Sequence, residues 1–212
     1  MLRKLFFFLT LTLATNIASA DDKDVESSYQ RGYTAWSEGD IVNAMPPLRV
    51  AADGGHAKAQ ALLGALLDHA DNDLEAAKYF KMAAEQGDPD GALGLANFYL
   101  TGDTGDKDPQ KARPLLQMAA EKGHLASMST LAYALLGDQF GSDPGTRFSA
   151  DTWKLVRQLA EKEELDFMAI LEEAYRHGNP QVPQDVNAAD ALKAKVDKAL
   201  GLDKVKKKRR RR

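Results

Sequence analysis

The chain has 212 residues, no cysteine, and a formal net charge of −3 at neutral pH. The lack of cysteine excludes a disulfide framework, a thiolate metal site, a cysteine nucleophile and lipid attachment through a cysteine. The length suffices for a core held by apolar packing alone.

Residues 1–20 read as a secretory signal peptide: Arg3 and Lys4, then the apolar run LFFFLTLTL at 5–13, then the small residues Ala18-Ser19-Ala20. The apolar run is too short for a stable membrane span. The expected mature chain starts at Asp21, and its expected location is periplasmic or secreted. Residues 21–28 (DDKDVESS) form an acidic, flexible lead-in that either precedes or starts the first helix.

From Tyr29 onward the chain repeats itself. AADGGH at 51–56 returns as AAEQGD at 83–88, AAEKGH at 119–124 and, degraded, LAEKEE at 159–164, at spacings of 32, 36 and 40 residues. Aligning on these hexads gives two further columns, Gly32, Gly64, Ala96, Ala132, Glu172 and Ala44, Ala76, Ala112, Thr152, Ala188. From the second column to the next member of the first is always 20 residues, whereas the return distance runs 12, 12, 16, 20 and 16. Length variation confined to one half of a unit is what stacked helix pairs allow, since insertions go into loops at one edge. Small residues at the columns suit close helix crossings.

The predicted first-type helices lie near 28–38, 57–69, 89–101, 125–137 and 165–177. The predicted second-type helices lie near 42–53, 74–86, 110–122, 150–162 and 186–199. Gly55, Gly87 and Gly123 stand where a helix ends in a left-handed residue. Asp88-Pro89 and Asp108-Pro109 are helix starts, a capping acceptor followed by proline in the first turn. Pro46, Pro47 and Pro114 should bend their helices or push the starts later. Three columns supply the core: Leu48, Phe80, Leu116, Val156; Leu63, Leu95, Leu131, Leu171; and Leu67, Tyr99, Leu135, Tyr175.

Ala-Ala-x-x-Gly at 83–87 and 119–123, Leu95 with Tyr99, Gly-Asp-x-Gly at 102–105, Asp108 and Ala112 together resemble the Sel-one-like (SLR) branch of the tetratricopeptide repeats, in its exported bacterial type. The resemblance covers about residues 29–199, and its first unit is similar to an ordinary tetratricopeptide repeat. It departs in the fourth unit, where Glu163 and Glu172 replace small residues. It implies an all-α, right-handed α-solenoid of about five antiparallel helix pairs over 29–200. The run of like charges that follows repels itself, so 201–212 is expected to be a disordered polybasic tail. The resemblance further implies a groove lined by the first-type helices. One row holds Tyr33, Ala65, Asn97, Tyr133 and Glu173, and the next holds Trp36, Asp68, Leu100, Leu136 and Arg176. Aromatic and apolar side chains among scattered polar ones suit an anchored peptide or helix. Packing against neighbouring helices is the other reading of Trp36, Leu100 and Leu136.

The chemistry-bearing residues point away from catalysis. His56 and His124 are equivalent positions, matched by Asp88 and Glu164, so they read as helix caps. His69 and His177 have no ligand-spaced neighbour, so no zinc site is expected. The loop TGDTGDKDP at 101–109 offers Asp103, Asp106 and Asp108, but Gly105 and Lys107 break the EF-hand order. It reads as an inter-helix turn, with calcium as the alternative. Gly-x-Ser-x-Gly, Ser-x-x-Lys and phosphate-loop motifs are all missing, so no catalytic residue, cofactor or metal is expected and the chain reads as non-enzymatic.

The end of the chain is different in kind. KVKKKRRRR at 204–212 carries eight cations, while residues 21–203 hold eighteen basic against thirty-one acidic residues, a net of −13. Lys206, Lys207, Lys208, Arg209, Arg210, Arg211 and Arg212 form the anion-binding candidate, suited to anionic lipid, lipopolysaccharide or an acidic partner. A solubilising end with no specific partner is the other reading. No aromatic residue is interleaved, so nucleic acid is not the expected partner. The leading expectation is an exported scaffold that holds an envelope or secreted protein or peptide in its groove. The alternative is a polyanion- or surface-associating protein acting through the tail.

Overall fold

The computed structural model describes residues 24–105, 107–141 and 149–202. The signal segment, Asp106 and the basic run 204–212 lie outside them. Among the described residues ten helices follow one another: α1 (24–37), α2 (Ile41–Asp53), α3 (Ala57–His69), α4 (Asp73–Glu85), α5 (Pro89–Thr101), α6 (Pro109–Glu121), α7 (Leu125–Leu136), α8 (Ala150–Glu161), α9 (Leu165–His177) and α10 (Val186–Ala199). The fold is an all-α helical-repeat solenoid, and no strand occurs among the described residues. None of the described helices is long and apolar enough to cross a membrane.

Helix boundaries follow the capping chemistry. Asp40, His56, Asp88, Asp108, Ser149 and Asp185 each accept a hydrogen bond from the backbone N–H three residues on. Such a bond satisfies one of the donors a helix start leaves open. His124 and Glu164 hold the equivalent place without a side-chain cap bond. The His124 ring nitrogen Nδ1 instead meets the hydroxyl of buried Ser127 at 2.8 Å.

Two boundaries that the sequence left open are placed by the structure. Helix α1 already includes residues 24–28, because Ser28 is buried and the Val25 side chain packs against Gly54 at the end of α2. The solenoid therefore begins before Tyr29. Pro46 and Pro47 do not delay α2, which starts at Ile41 behind its Asp40 cap, and Pro114 sits inside α6. Buried Leu48 and Leu116 just beyond the prolines hold these helices through the missing N–H donors.

The chain folds as two compact units, Met1–Lys122 and Gly123–Arg212. In the first unit each helix packs on its chain neighbour from α2 to α6, and α3 also touches α5, so first-type helices share a layer. The small-residue columns act at these crossings. A Cβ on Gly32 would lie 2.6 Å from the Leu48 side chain, and one on Gly64 would lie 2.9 Å from the Phe80 ring. Ala44, Ala76, Ala96 and Ala112 are fully buried, as are Leu48, Leu63 and Leu116. Each such leucine contributes about 1.5–3 kcal/mol by leaving water. The columns are thus the seam of the stack, and bulk at Gly32 or Gly64 would separate its helices.

The second unit joins α7 to α8, α8 to α9 and α9 to α10. Its core comprises Met128, Leu131, Trp153, Val156, Leu159, Phe167, Met168 and Leu171, all buried. Here the repeat is looser chemically. Thr152 is buried in the column that elsewhere holds alanine, and Glu172 is only partly buried in the other column.

Candidate functional site

The first unit carries a cleft of about 530 Å³ on the shared face of α1, α3 and α5. Helical periodicity places its walls. Tyr29, Tyr33 and Trp36 recur at four and three residues along α1, Ala61, Ala65 and Asp68 likewise along α3, and Asp90, Leu93 and Asn97 at three and four along α5. The floor is low because its residues are small. Ala61, Ala65 and Gly94 let the Phe80 ring rise from α4, and a Cβ on Gly94 would come within 2.5 Å of that ring.

The α1 wall is a run of aromatic rings. Tyr29 and Tyr33 have centroids 5.7 Å apart, and Tyr33 and Trp36 have centroids 5.3 Å apart. Tyr33 is 42% exposed and Trp36 37%, high values for side chains this large in a folded repeat. Tyr29 is held at the base, stacked on the His56 ring at 4.1 Å. His56 accepts the Ala59 N–H at Nδ1, and its Nε2 lies 3.1 Å from Glu26, so both ring nitrogens are engaged in structure. Burial pushes the Tyr29 phenol pKa up, with Tyr33 and Glu26 adding to the effect.

The charged walls differ at the two ends. Lys58 in the first turn of α3 and Asp90 in the first turn of α5 put both signs near one end. Asp68 stands at the other end, in the last turn of α3. Its carboxyl pKa is raised, first by burial and then by the neighbouring charges of Asp73, Asp103 and Asp71. Among the described residues no hydrogen bond or ion pair reaches this carboxylate.

The second unit has its own, more open hollow of about 840 Å³, in which Tyr133 and Leu136 of α7 meet Ile170 and Glu173 of α9. Trp153 and His177 also line it. Tyr133 is 43% exposed, yet its hydroxyl donates to Asp166 Oδ2 at 2.8 Å and its ring lies 4.8 Å from that of Phe167.

The groove rows expected from sequence are placed as follows. Tyr33, Trp36, Ala65, Asp68 and Asn97 come together in the first cleft. Tyr133, Leu136 and Glu173 come together in the second hollow. Leu100 is half-buried and lines neither. Arg176 is withdrawn from the row and clamped by Glu172 at 2.6 Å and Asp190 of α10 at 3.0 Å. Those two carboxylates raise its guanidinium pKa, Glu172 more than Asp190. The cause lies in the repeat's departure, because Glu172 replaces a small residue one turn before Arg176 and pairs with it. Lys206, Lys207, Lys208, Arg209, Arg210, Arg211 and Arg212 lie outside the described residues.

Several lining residues escaped the sequence reading. Tyr29, Lys58, Asp90 and Leu93 sit one or two turns before the named rows, so extending the same stripe upstream would have found them. Phe80 gives no such signal, because it belongs to a core column and reaches the cleft only through glycine. Trp153 is likewise a second-type residue.

Among the described residues no group of three or more His, Cys, Asp or Glu side chains could hold a metal ion. The Asp108 carboxylate accepts the Lys111 backbone N–H and pairs with its ammonium at 2.9 Å, so it serves as a helix cap.

The comparisons with known proteins agree with this architecture. Residues 57–88 and 89–124 match the model of the Sel1 repeat, one copy each. No curated protein sequence matches the chain. Among solved structures, it is similar to a protective antigen present in uropathogenic Escherichia coli strains that displays an SLR fold. The two share 24% identity and a TM-score of 0.69, over 82% of this chain and 38% of the antigen. It is also similar to a Sel1 repeat protein from Oxalobacter formigenes, with 24% identity and a TM-score of 0.65 over 81% of this chain and 70% of that one. The chain thus spans well under half of the antigen's length.

Proposed function

We propose, on the premise that residues 57–124 are two Sel1 repeats within an all-α helical-repeat fold, that this protein is an exported, non-enzymatic interaction scaffold. A Sel1-type fold is a protein–protein interaction scaffold in kind. The finer reading is that the α1/α3/α5 cleft holds a protein or peptide of the cell envelope, reached by way of the signal segment at 1–20. The observation that carries this is the exposed Tyr33–Trp36 pair standing over a floor of Ala61, Ala65 and Gly94. Large rings already fixed by their neighbours bind at little further entropic cost, which is how aromatic anchors come to dominate interfaces.

The test is capture from native envelope extract with three proteins: the mature chain, a version ending at Asp203, and Tyr33→Ala/Trp36→Ala. A stoichiometric polypeptide that persists without the tail and is lost with the aromatic substitutions supports the groove scaffold. Capture that ignores the aromatic pair contradicts it.

A second reading is favoured by one sequence observation, the eight cations at 204–212 on a body of net charge −13. It makes the protein a polyanion- or surface-associating one, with lipopolysaccharide, anionic lipid or an acidic protein as partner. Salt separates the two readings. Binding through Lys206 to Arg212 should weaken steeply between low and physiological ionic strength, whereas an apolar groove should change little.

A further inference from the structure

We infer that the Trp36–Asp68 end of the first unit's cleft is a subsite for a cationic side chain, an arginine or lysine, of the polypeptide bound there. This deepens the groove reading and rests on it.

The two ends of the cleft are not alike. Ten residues of α3 separate Lys58 from Asp68, about 15 Å along the helix axis. The Lys58 end already carries both signs, with Asp90 opposite on α5. At the far end Asp68 is the one charged lining residue among the described ones, and no cation of the described chain pairs with it. Its surroundings, the neighbouring His69 excepted, disfavour a lone carboxylate. It lies in the last turn of α3, where the helix dipole is negative. Desolvation raises its titration first, Asp73, Asp103 and Asp71 add like charge, and His69 acts more weakly the other way. A guest cation would offset the like charge and the dipole by pairing with the carboxylate directly.

The Trp36 indole lines the same cleft, 37% exposed, with the Tyr33 ring beside it. A cation over a tryptophan or tyrosine face is drawn by the ring quadrupole, and a guanidinium can also stack on it. A ring face and an uncompensated carboxylate together recognise a flat cation on an apolar stem better than they recognise an anion or a purely aliphatic side chain. The wider field works the same way, since residues 24–122 hold sixteen acidic and nine basic residues and so draw basic segments toward this unit. A metal ion fits less well, because only one carboxylate lines this end and the described residues offer no group of three ligands.

The experiment pans a phage-displayed random dodecapeptide library on the full chain. The best peptide is then synthesised with its basic residue kept or replaced by norleucine. Both peptides are titrated calorimetrically into wild type, Asp68→Asn and Tyr33→Ala/Trp36→Ala. The expected consensus has one arginine or lysine flanked by apolar residues. Norleucine should weaken binding to wild type by roughly tenfold or more, and to Asp68→Asn by no more than about twofold. Asp68→Asn should bind the norleucine peptide as wild type does, which also shows that the variant is folded. Enriched peptides that need Tyr33 and Trp36 but carry no basic consensus would overturn the cationic subsite and leave the groove reading standing. The same holds if Asp68→Asn weakens both peptides equally. No enrichment, or enrichment indifferent to the aromatic substitutions, would overturn the groove reading and the subsite with it.

Discussion

The turn between α4 and α5 and the turn between α8 and α9 share one backbone geometry and differ in chemistry. In the first, Gly87 takes φ 77° and donates to Ala84 O, while Asp88 N donates to Ala83 O. In the second, Glu163 takes φ 64° and donates to Ala160 O, while Glu164 N donates to Leu159 O. Glycine reaches that conformation freely, whereas a glutamate is strained by about 1–2 kcal/mol. Asp88 then caps α5 through the Gly91 N–H, and Glu164 makes no such bond to α9. The second unit therefore keeps the repeat's geometry without its local support. Packing of Val156, Leu159, Phe167 and Leu171 has to hold what glycine and aspartate hold in the first. The same contrast appears in the small-residue column. Gly64 lets the Phe80 ring in, whereas Glu172 recruits Arg176 and removes it from the groove face.

This contrast can be broken from its strongest point downward. Phe80→Ala should cost about 3–5 kcal/mol of stability in denaturant unfolding, because it empties the seam that Gly64 and Gly94 were shaped for. Gly64→Val should cost about 1–3 kcal/mol by forcing an isopropyl group against that ring. A Glu172→Ala change, at the equivalent column position, should cost less than Gly64→Val, since only a partly exposed ion pair is lost. If Glu172→Ala is the costlier change, the column does not mean the same thing in the two units. Glu163→Gly should stabilise the protein by about 1 kcal/mol, and Gly87→Ala should destabilise it by a similar amount. Unfolding midpoints that move the same way for both would refute the shared turn.

The smallest expected effect concerns Asp68. Its carboxyl pKa is raised in the folded protein, so the folded state takes up its proton at a higher pH than the unfolded chain does. Ionised Asp68 therefore detracts from stability at neutral pH, and that penalty fades as pH falls through the raised value. Asp68→Asn should raise the midpoint slightly at pH 7, within about 0.5 kcal/mol for a surface position. The gain should close as the pH is lowered into the carboxylate range. A gain that widens on acidification would mean that a cation of the protein already pairs with Asp68.

Most of the helix plan was legible because repetition multiplies weak signals. Capping at Asp88 and Asp108 and the recurring glycines fix helix ends locally, and the column Leu48/Phe80/Leu116/Val156 fixes the buried face. Side-chain partnerships across helices were not legible. That Arg176 turns to Asp190 depends on where α10 lies, and that Phe80 floors a cleft depends on glycine at two positions of other helices. Whether residues 24–28 precede or start α1 was left open for a similar reason. Residues 24–28 are polar in sequence, and only the contacts of Val25 and Ser28 with the rest of the unit explain their helix.

On the proposed function, the first-type face of the first unit, with Tyr33 and Trp36, is where a partner sits. The second-type helices offer a rival apolar surface, since Val42 of α2 is 81% exposed and Leu74 of α4 is 76% exposed. The most direct measurement places a photo-crosslinking benzoylphenylalanine at position 33, 42 or 74 of the full chain in living cells. Each adduct pattern is then read after irradiation. The account predicts one discrete adduct from position 33 that is weak or missing from 42 and 74. An adduct of equal or greater yield from Val42 or Leu74, with none from Tyr33, would contradict it.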